Sequence, residues 1–372
     1  MLQQFFYVLP VLFLFCGVSG CHNEKVAEST PPSVPAKKEL KAAPVFAQPA
    51  SGFANQSSAS VCDIEKDSGD VKKDEVAATA AQTDENNFPA GEDPHFAKEM
   101  GWPVKSPPLL PGSILPRKRI VAYYGNPLCK RMGALGEYEV KDMIQRLKAE
   151  AKRWSDADPS TPVQPALHLI AVVAQGTPGK AGKYRMIMPD EIVNKVYGWA
   201  KEAHCLLFID IQTGHEDIRT LLPRFEWILK NPDVHLGIDP EFNLVASQKI
   251  PGSKVGTFDA AEINYVTGYL TDLVKKYRLP PKVLTIHRFT RNGVTNFRNI
   301  KLRPEVQIVM NMDGWGGPHL KRATYKDYIV SEPVQFTGFK LFYHNDTKKG
   351  DPLMTPKDVL RLNPKPVYIM YQ

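Results

Sequence analysis

From Pro116 onward, short apolar runs of strand character alternate with longer segments of helical spacing, and this rhythm repeats eight times. It constrains the fold more than any other property of the chain. Strands are expected over 119–125, 166–173, 205–211, 234–239, 283–287, 306–312, 339–343 and 367–371. The runs are β-branched and apolar throughout, as suits parallel strands covered on both faces. Helices are expected over 139–154, 190–203, 217–229, 260–277, 321–329 and 356–361, with Asp259 as the N-cap of the longest. Eight strand-helix units in residues 116–372 predict an α/β fold of the (β/α)₈ TIM-barrel type. The competing doubly wound sheet would carry a glycine-rich loop after its first strand, and Gly125-Asn126-Pro127 does not resemble one. The last helix is missing from the pattern, and the segment from Phe96 to Leu115 is expected to cover its place.

The region before the repeats reads differently. Phe5–Gly17 is an apolar run too short to span a bilayer comfortably, followed by Val18-Ser19-Gly20-Cys21. Residues 22–115 are rich in Pro, Ala, Ser and charged side chains and lack periodicity, so they are expected to form a disordered linker. The division is thus 1–21 signal peptide, 22–115 linker and 116–372 barrel domain.

A formal charge of +7 favours acidic envelope polymers or lipid head groups, and it is too diffuse to suggest nucleic acid. Once Cys21 is set aside, Cys62, Cys129 and Cys205 remain beyond the leader, which points away from a dense disulfide framework. Cys205 reads as a small core residue. Cys129 has no histidine near it in sequence to activate it as a nucleophile.

In a barrel of this kind, reacting groups sit where strands end. Three strand ends carry polar residues two apart: Asp210 with Gln212, Asp239 with Glu241, and Asn311 with Asp313. Strand alternation would turn each pair toward the barrel axis, with Ile209, Ile211, Ile238, Met310 and Met312 facing the helices. His287 and Lys340 end two further strands. Tyr123, Tyr124 and Asn126 end the first, and Trp315 follows Asp313. His168 and His235 lie nearer strand beginnings and read as structural.

Paired carboxylates suit glycosidic cleavage, which needs one carboxyl protonated and another ionised. Glu241 is the expected acid and Asp239 its partner, with Asp210 and Asp313 completing the catalytic set. Tyr123, Tyr124, Asn126, Gln212, His287, Asn311, Trp315 and Lys340 are the expected substrate-binding residues, the aromatic ones through flat faces for sugar rings. No metal or cofactor is expected.

Three resemblances follow. The Val18–Cys21 sequence resembles the lipobox of bacterial lipoproteins, which implies lipidation of Cys21 and an anchor on the outer side of a bacterial membrane, periplasmic or at the cell surface. Asp239-Pro240-Glu241 resembles the Asp-x-Glu signature of barrel glycosidases that cut cell wall or chitin-type polymers, which implies the acid role for Glu241 and the helper role for Asp239. Tyr123-Tyr124-Gly125-Asn126-Pro127, Gly133–Glu137, Asp210–Gly214, Asp239–Glu241 and Tyr371-Gln372 together resemble a group of exported bacterial proteins of unassigned activity. The expected partners are therefore a peptidoglycan-like or other envelope glycan and a membrane reached through the N-terminal lipid.

Two alternatives stand beside this expectation. One is a non-catalytic carbohydrate- or wall-binding lipoprotein on the same scaffold. The other is a metal-dependent hydrolase built from His287, Asp210, Asp239 and Asp313, although no His-x-His or His-Glu-x-x-His motif occurs. A serine triad lacks its Gly-x-Ser-x-Gly motif. Lys340 is either a Schiff-base lysine or an ion-pair partner for the acids.

Overall fold

The computed structural model describes residues 88–372. The signal peptide, Cys21 and the linker up to residue 87 lie outside the described residues.

Eight strands form a closed parallel barrel: β1 (Arg119–Gly125), β2 (Val163–Ala174), β3 (Leu206–Ile211), β4 (Val234–Ile238), β5 (Lys282–Arg288), β6 (Val306–Met312), β7 (Phe336–Leu341) and β8 (Tyr368–Tyr371). Each strand pairs with the next in sequence, and β8 returns to β1 through Tyr123↔Tyr371 and its neighbours. The architecture expected from the repeats is the one found. The strands are buried on both faces because one face meets helices and the other fills the barrel axis, where buried polar residues such as Asp210 and His287 stand among the apolar ones.

Six helices matter for the layout: α1 (Pro94–Glu99), α2 (Val140–Ala157), α3 (Asp190–Ala203), α4 (Ala260–Tyr277), α5 (Pro318–Thr324, continued by a π-helical turn Tyr325–Val330) and α6 (Pro356–Leu360). In α4, Asp259 and Glu262 complete a reciprocal capping box, and Ile263, Val266, Leu270 and Leu273 face the sheet. The helix expected over 217–229 is broken into three short turns, with Pro223 in the middle one. Between β5 and β6 there is no α-helix, only two 3₁₀ turns and the two-residue strand Val294–Thr295. A short antiparallel strand, Arg185–Ile187, extends β2, and Phe258–Asp259 pairs with Val294–Thr295; neither has the length to show in the apolar pattern. No helix among the described residues is long and apolar enough to cross a membrane.

The lead-in is ordered earlier than expected. Trp102 is buried with its indole N–H donating to the Val330 carbonyl at 2.9 Å, and Glu92 binds Arg322 and Arg361. Leu115 is fully buried, and its N–H donates to the Gln307 side-chain oxygen. These contacts lie on α5, on the turn after α6 and at the start of β6, so the lead-in does not take the place of a last helix. The β8–β1 seam is covered instead by α2, whose Trp154 donates to the Tyr371 hydroxyl at 2.9 Å.

Candidate functional site

The lower part of the barrel axis is aromatic. His168 stacks on Phe208 with ring centres 5.1 Å apart, and Phe208 also meets His235 and Tyr368. His235 accepts from the Val283 N–H at 3.1 Å, and burial pushes its imidazole well below its ordinary pKa, which keeps the ring neutral in the core.

Above this layer runs a polar chain. His287 lies between two carboxylates, with Nδ1 3.2 Å from Asp313 and Nε2 3.4 Å from Asp210. Satisfying both takes two N–H donors, the number carried by a protonated ring. Asp210 also faces His168 Nε2 at 3.7 Å. His168 Nδ1 in turn meets the Tyr368 hydroxyl at 2.6 Å. Gly237 makes the approach feasible: a Cβ there would lie 2.4 Å from His168 Nε2 and 2.5 Å from Asp210 Oδ1. His168 is thus part of the polar cluster, although its sequence position suggested a purely structural role. Strand β2 begins at Val163, three residues before the expected start, which moves His168 toward mid-strand.

Asp313 ends β6 and pairs with Lys340 on β7 at 2.8 Å. Lys340 also sits over the Tyr124 ring, 4.2 Å from its centre. The lysine is therefore an ion-pair partner inside the barrel mouth. Gln212 links the outer groups, donating to Tyr124 Oη at 3.3 Å and to Asp239 at 3.2 Å while accepting from the Ala174 N–H.

Asp239, Glu241 and Asp313 converge, with one carboxylate oxygen of each within 4.8 Å of the others. Strand alternation does not bring Glu241 there. Strand β4 stops at Ile238, and Pro240–Phe242 is a 3₁₀ turn that carries Glu241 back over Asp239. The turn is clamped from the other side. The Gly256 N–H donates to the Glu241 carbonyl, and a Cβ at Gly256 would lie 2.4 Å from the Asn243 carbonyl oxygen, so only glycine permits the contact. Asp239 is 2% exposed and Asp313 is 4% exposed, whereas Glu241 is half-buried and forms the part of the group that water reaches.

The carboxylates titrate apart. Burial raises the Asp239 carboxyl well above its ordinary value, and the charges of Glu241, Asp210 and Asp313 push it the same way. Burial would also raise Asp313, but Lys340 and His287 outweigh it and hold Asp313 low. Asp210 is held down to about 2 against the same desolvation, by the His287 charge, His168 and the Tyr124 hydroxyl. Burial lowers His168 to about 4, against the pull of Asp210.

Other expected site residues lie away from this group. Tyr123 points outward from β1, with its hydroxyl 3.0 Å from that of Tyr343 and its ring against Tyr371, in the layer beneath α2. It therefore offers no face to the barrel mouth, because the next residue, Tyr124, takes the inward position. Asn126 is spent on structure: it donates to the Ile170 carbonyl at 3.0 Å and accepts from the Leu128 N–H. Asn311 is fully buried in the barrel, one residue pair below Asp313. Trp315 is half-buried in the loop after β6. That loop is braced by the buried Lys321–Asp346 pair: Lys321 donates to the Gly314 carbonyl, and Asp346 accepts from the Gly316 N–H. Cys129 is disulfide-bonded, which removes it as a nucleophile.

No protein-family model matches the chain, and no curated protein matches it. Among solved structures, the chain is similar to a GH5-4 broad specificity endoglucanase from Clostridium acetobutylicum, at 12% sequence identity over 60% of this chain and 79% of the other, with a TM-score of 0.31. A likeness at that level carries no argument about activity. The barrel stands on its own strand pairing.

Proposed function

We propose that this protein is a glycoside-hydrolase-like barrel that cleaves an envelope glycan by carboxylate acid/base chemistry. The observation that carries the reading is the convergence of Asp239, Glu241 and Asp313 at the mouth, with one carboxyl held protonated beside another held ionised. This electrostatic division favours Asp239 over Glu241 as the proton donor to the leaving oxygen. The ionised role then falls to Asp313 or to the more exposed Glu241. The Glu241 charge adds to burial in raising the Asp239 carboxyl.

Trp315, half-buried in the loop after β6, is the aromatic residue placed to meet a sugar, whereas Tyr124 and Gln212 are buried beside the carboxylates. The envelope location rests on the leader and Cys21 alone.

The test is release of reducing ends from purified cell wall by the purified protein, with Asp239→Asn and Glu241→Gln as controls. Turnover that disappears in both variants while glycan binding persists supports the reading. Wild-type protein that binds wall polymer without releasing reducing ends overturns it in favour of a non-catalytic binder.

A further inference from the structure

One layer below the carboxylate mouth lies a second convergence, of different composition. His168 on β2, Asp210 on β3 and His287 on β5 each direct a donor atom to a common point, with all three atoms within 4.8 Å of one another. All three side chains are 0% exposed. Among the described residues, the partners of His168 Nε2 and His287 Nε2 are the Asp210 carboxylate oxygens, at contacts of 3.7 Å and 3.4 Å that are longer than good hydrogen bonds. Buried polar atoms held in such loose contact are costly unless something binds between them.

The far sides of the two rings are already committed. His168 Nδ1 meets the Tyr368 hydroxyl at 2.6 Å, and His287 Nδ1 meets the Asp313 carboxylate at 3.2 Å. This is the outer-shell arrangement that fixes the ring orientation of metal-bound histidines. The spacing agrees as well. Bonds of about 2.0–2.1 Å to a tetrahedral ion place neighbouring donors ~3.4 Å apart. Asp210 Oδ2 lies 3.4 Å from His287 Nε2 and Asp210 Oδ1 lies 3.7 Å from His168 Nε2, so the carboxylate faces the two rings with one oxygen each. The fourth strand of the neighbourhood, β4, contributes only Gly237, whose missing side chain leaves room beside two of the donors.

We propose that His168, Asp210 and His287 form a buried binding site for one divalent ion of the zinc class. Two imidazole nitrogens and one carboxylate suit zinc, cobalt or nickel, whereas magnesium and calcium prefer oxygen donors. Lys340 on the neighbouring strand pairs with Asp313 at 2.8 Å. The rival occupant is a proton: a charged His287 bridging Asp210 and Asp313 would account for part of the same geometry, though it would leave His168 Nε2 without a role. The site is independent of the glycan reading, since it shares no ligand with the Asp239, Glu241 and Asp313 set.

The experiment is metal analysis of the full chain, followed by chelator treatment and titration with Co²⁺ read by its visible d–d bands, with Zn²⁺ as competitor. One equivalent of bound metal is expected, with binding lost in His168→Gln and Asp210→Asn and unchanged in Glu241→Gln. Tyr368→Phe removes only the outer-shell contact and is expected to weaken affinity about 10–100-fold. Gly237→Ala places a methyl among the ligands and is expected to abolish binding. Should the direct variants unfold by circular dichroism, Tyr368→Phe and Gly237→Ala decide. Absence of binding by the wild type overturns the proposal. So does binding that survives His168→Gln in a folded protein, or binding that depends on Glu241 instead.

Discussion

Asp210 and Asp239 stand at the ends of adjacent parallel strands, both buried, yet their carboxyls are shifted in opposite directions. Desolvation acts on both in the same direction. The difference comes from neighbours. Asp210 has two histidines and a tyrosine hydroxyl within reach, while Asp239 has a glutamine and three other carboxylates. Burial alone therefore does not decide what a carboxyl does in a barrel mouth; the sign of the surrounding charge does. The two aspartates divide the mouth into a deep layer that is ionised and tied down and an upper layer able to donate a proton.

The sharpest way to break this comparison is to neutralise the upper layer. Asp239→Asn keeps the shape and the Gln212 neighbour but removes the transferable proton. Reducing-end release from cell wall is expected to fall about 10²–10⁴-fold with an unchanged circular dichroism spectrum. An activity loss below tenfold would mean that Asp239 is not the donor, and that the two layers do not differ in the way proposed.

The deep layer answers to stability rather than rate. Asp210→Ala leaves His287 and His168 facing a void where a carboxylate stood. The expected loss is about 3–5 kcal/mol in urea or guanidinium unfolding, the range for removing one partner of a buried ion pair. Glu241→Gln, half-buried in its turn, is expected to stay within about 0.5 kcal/mol of wild type. Equal losses in the two variants would show that the layers are mechanically one unit.

How much of this was legible beforehand depends on what sets each position. The barrel was readable because apolar runs and helical spacing report directly on burial, and α3 and α4 run over the expected residues. Strand ends in a parallel barrel account for Asp239 and Asp313 meeting at the mouth and for Asp210 lying in the layer below. The role of His168 did not, because β2 starts three residues early and its first residues are only partly buried, so they lack an apolar signature. Tyr123 and Tyr124 share chemistry and neighbourhood in sequence, and only strand phase separates the one under α2 from the one in the mouth. Glu241 reached its place through a proline turn clamped by Gly256, a loop contact that no periodicity encodes. Packing of the Phe96–Leu115 lead-in was readable from Trp102, but its docking place was not, because contacts such as Trp102 with Val330 are long-range.

The opposite shifts also predict opposite pH slopes. Asp210 is depressed to about 2, so its contribution is fully present above the unfolded aspartate value of about 3.9 and is lost as pH falls from there toward 2. Asp239 is raised, so the native state binds a proton that the unfolded chain has released. Its contribution is present below about pH 3.9 and shrinks as pH rises toward its elevated value. Unfolding free energies measured across pH for wild type, Asp210→Asn and Asp239→Asn separate the two. The wild-type advantage over Asp210→Asn is expected to vanish on acidification, and that over Asp239→Asn to decline on alkalinisation. Parallel curves would show that the two aspartates titrate alike.

The smallest effect tests the finest distinction, between neighbouring tyrosines. Tyr123→Phe removes a hydroxyl that contacts only Tyr343 beneath α2, and it is expected to cost about 1 kcal/mol of stability without altering turnover. Tyr124→Phe removes a hydroxyl that accepts from Gln212 and supports the ionised Asp210. Its stability cost is expected to be of the same order, about 1 kcal/mol. It is also expected to shift the pH profile of activity, because Gln212 bridges Tyr124 to Asp239 and loses one of its anchors. Two variants of equal stability, of which only the inward one moves the pH profile, would show that the strand phase of β1 separates structure from chemistry. If Tyr123→Phe moves the profile as well, the outer tyrosine layer is coupled to the mouth, and the inside-outside distinction fails.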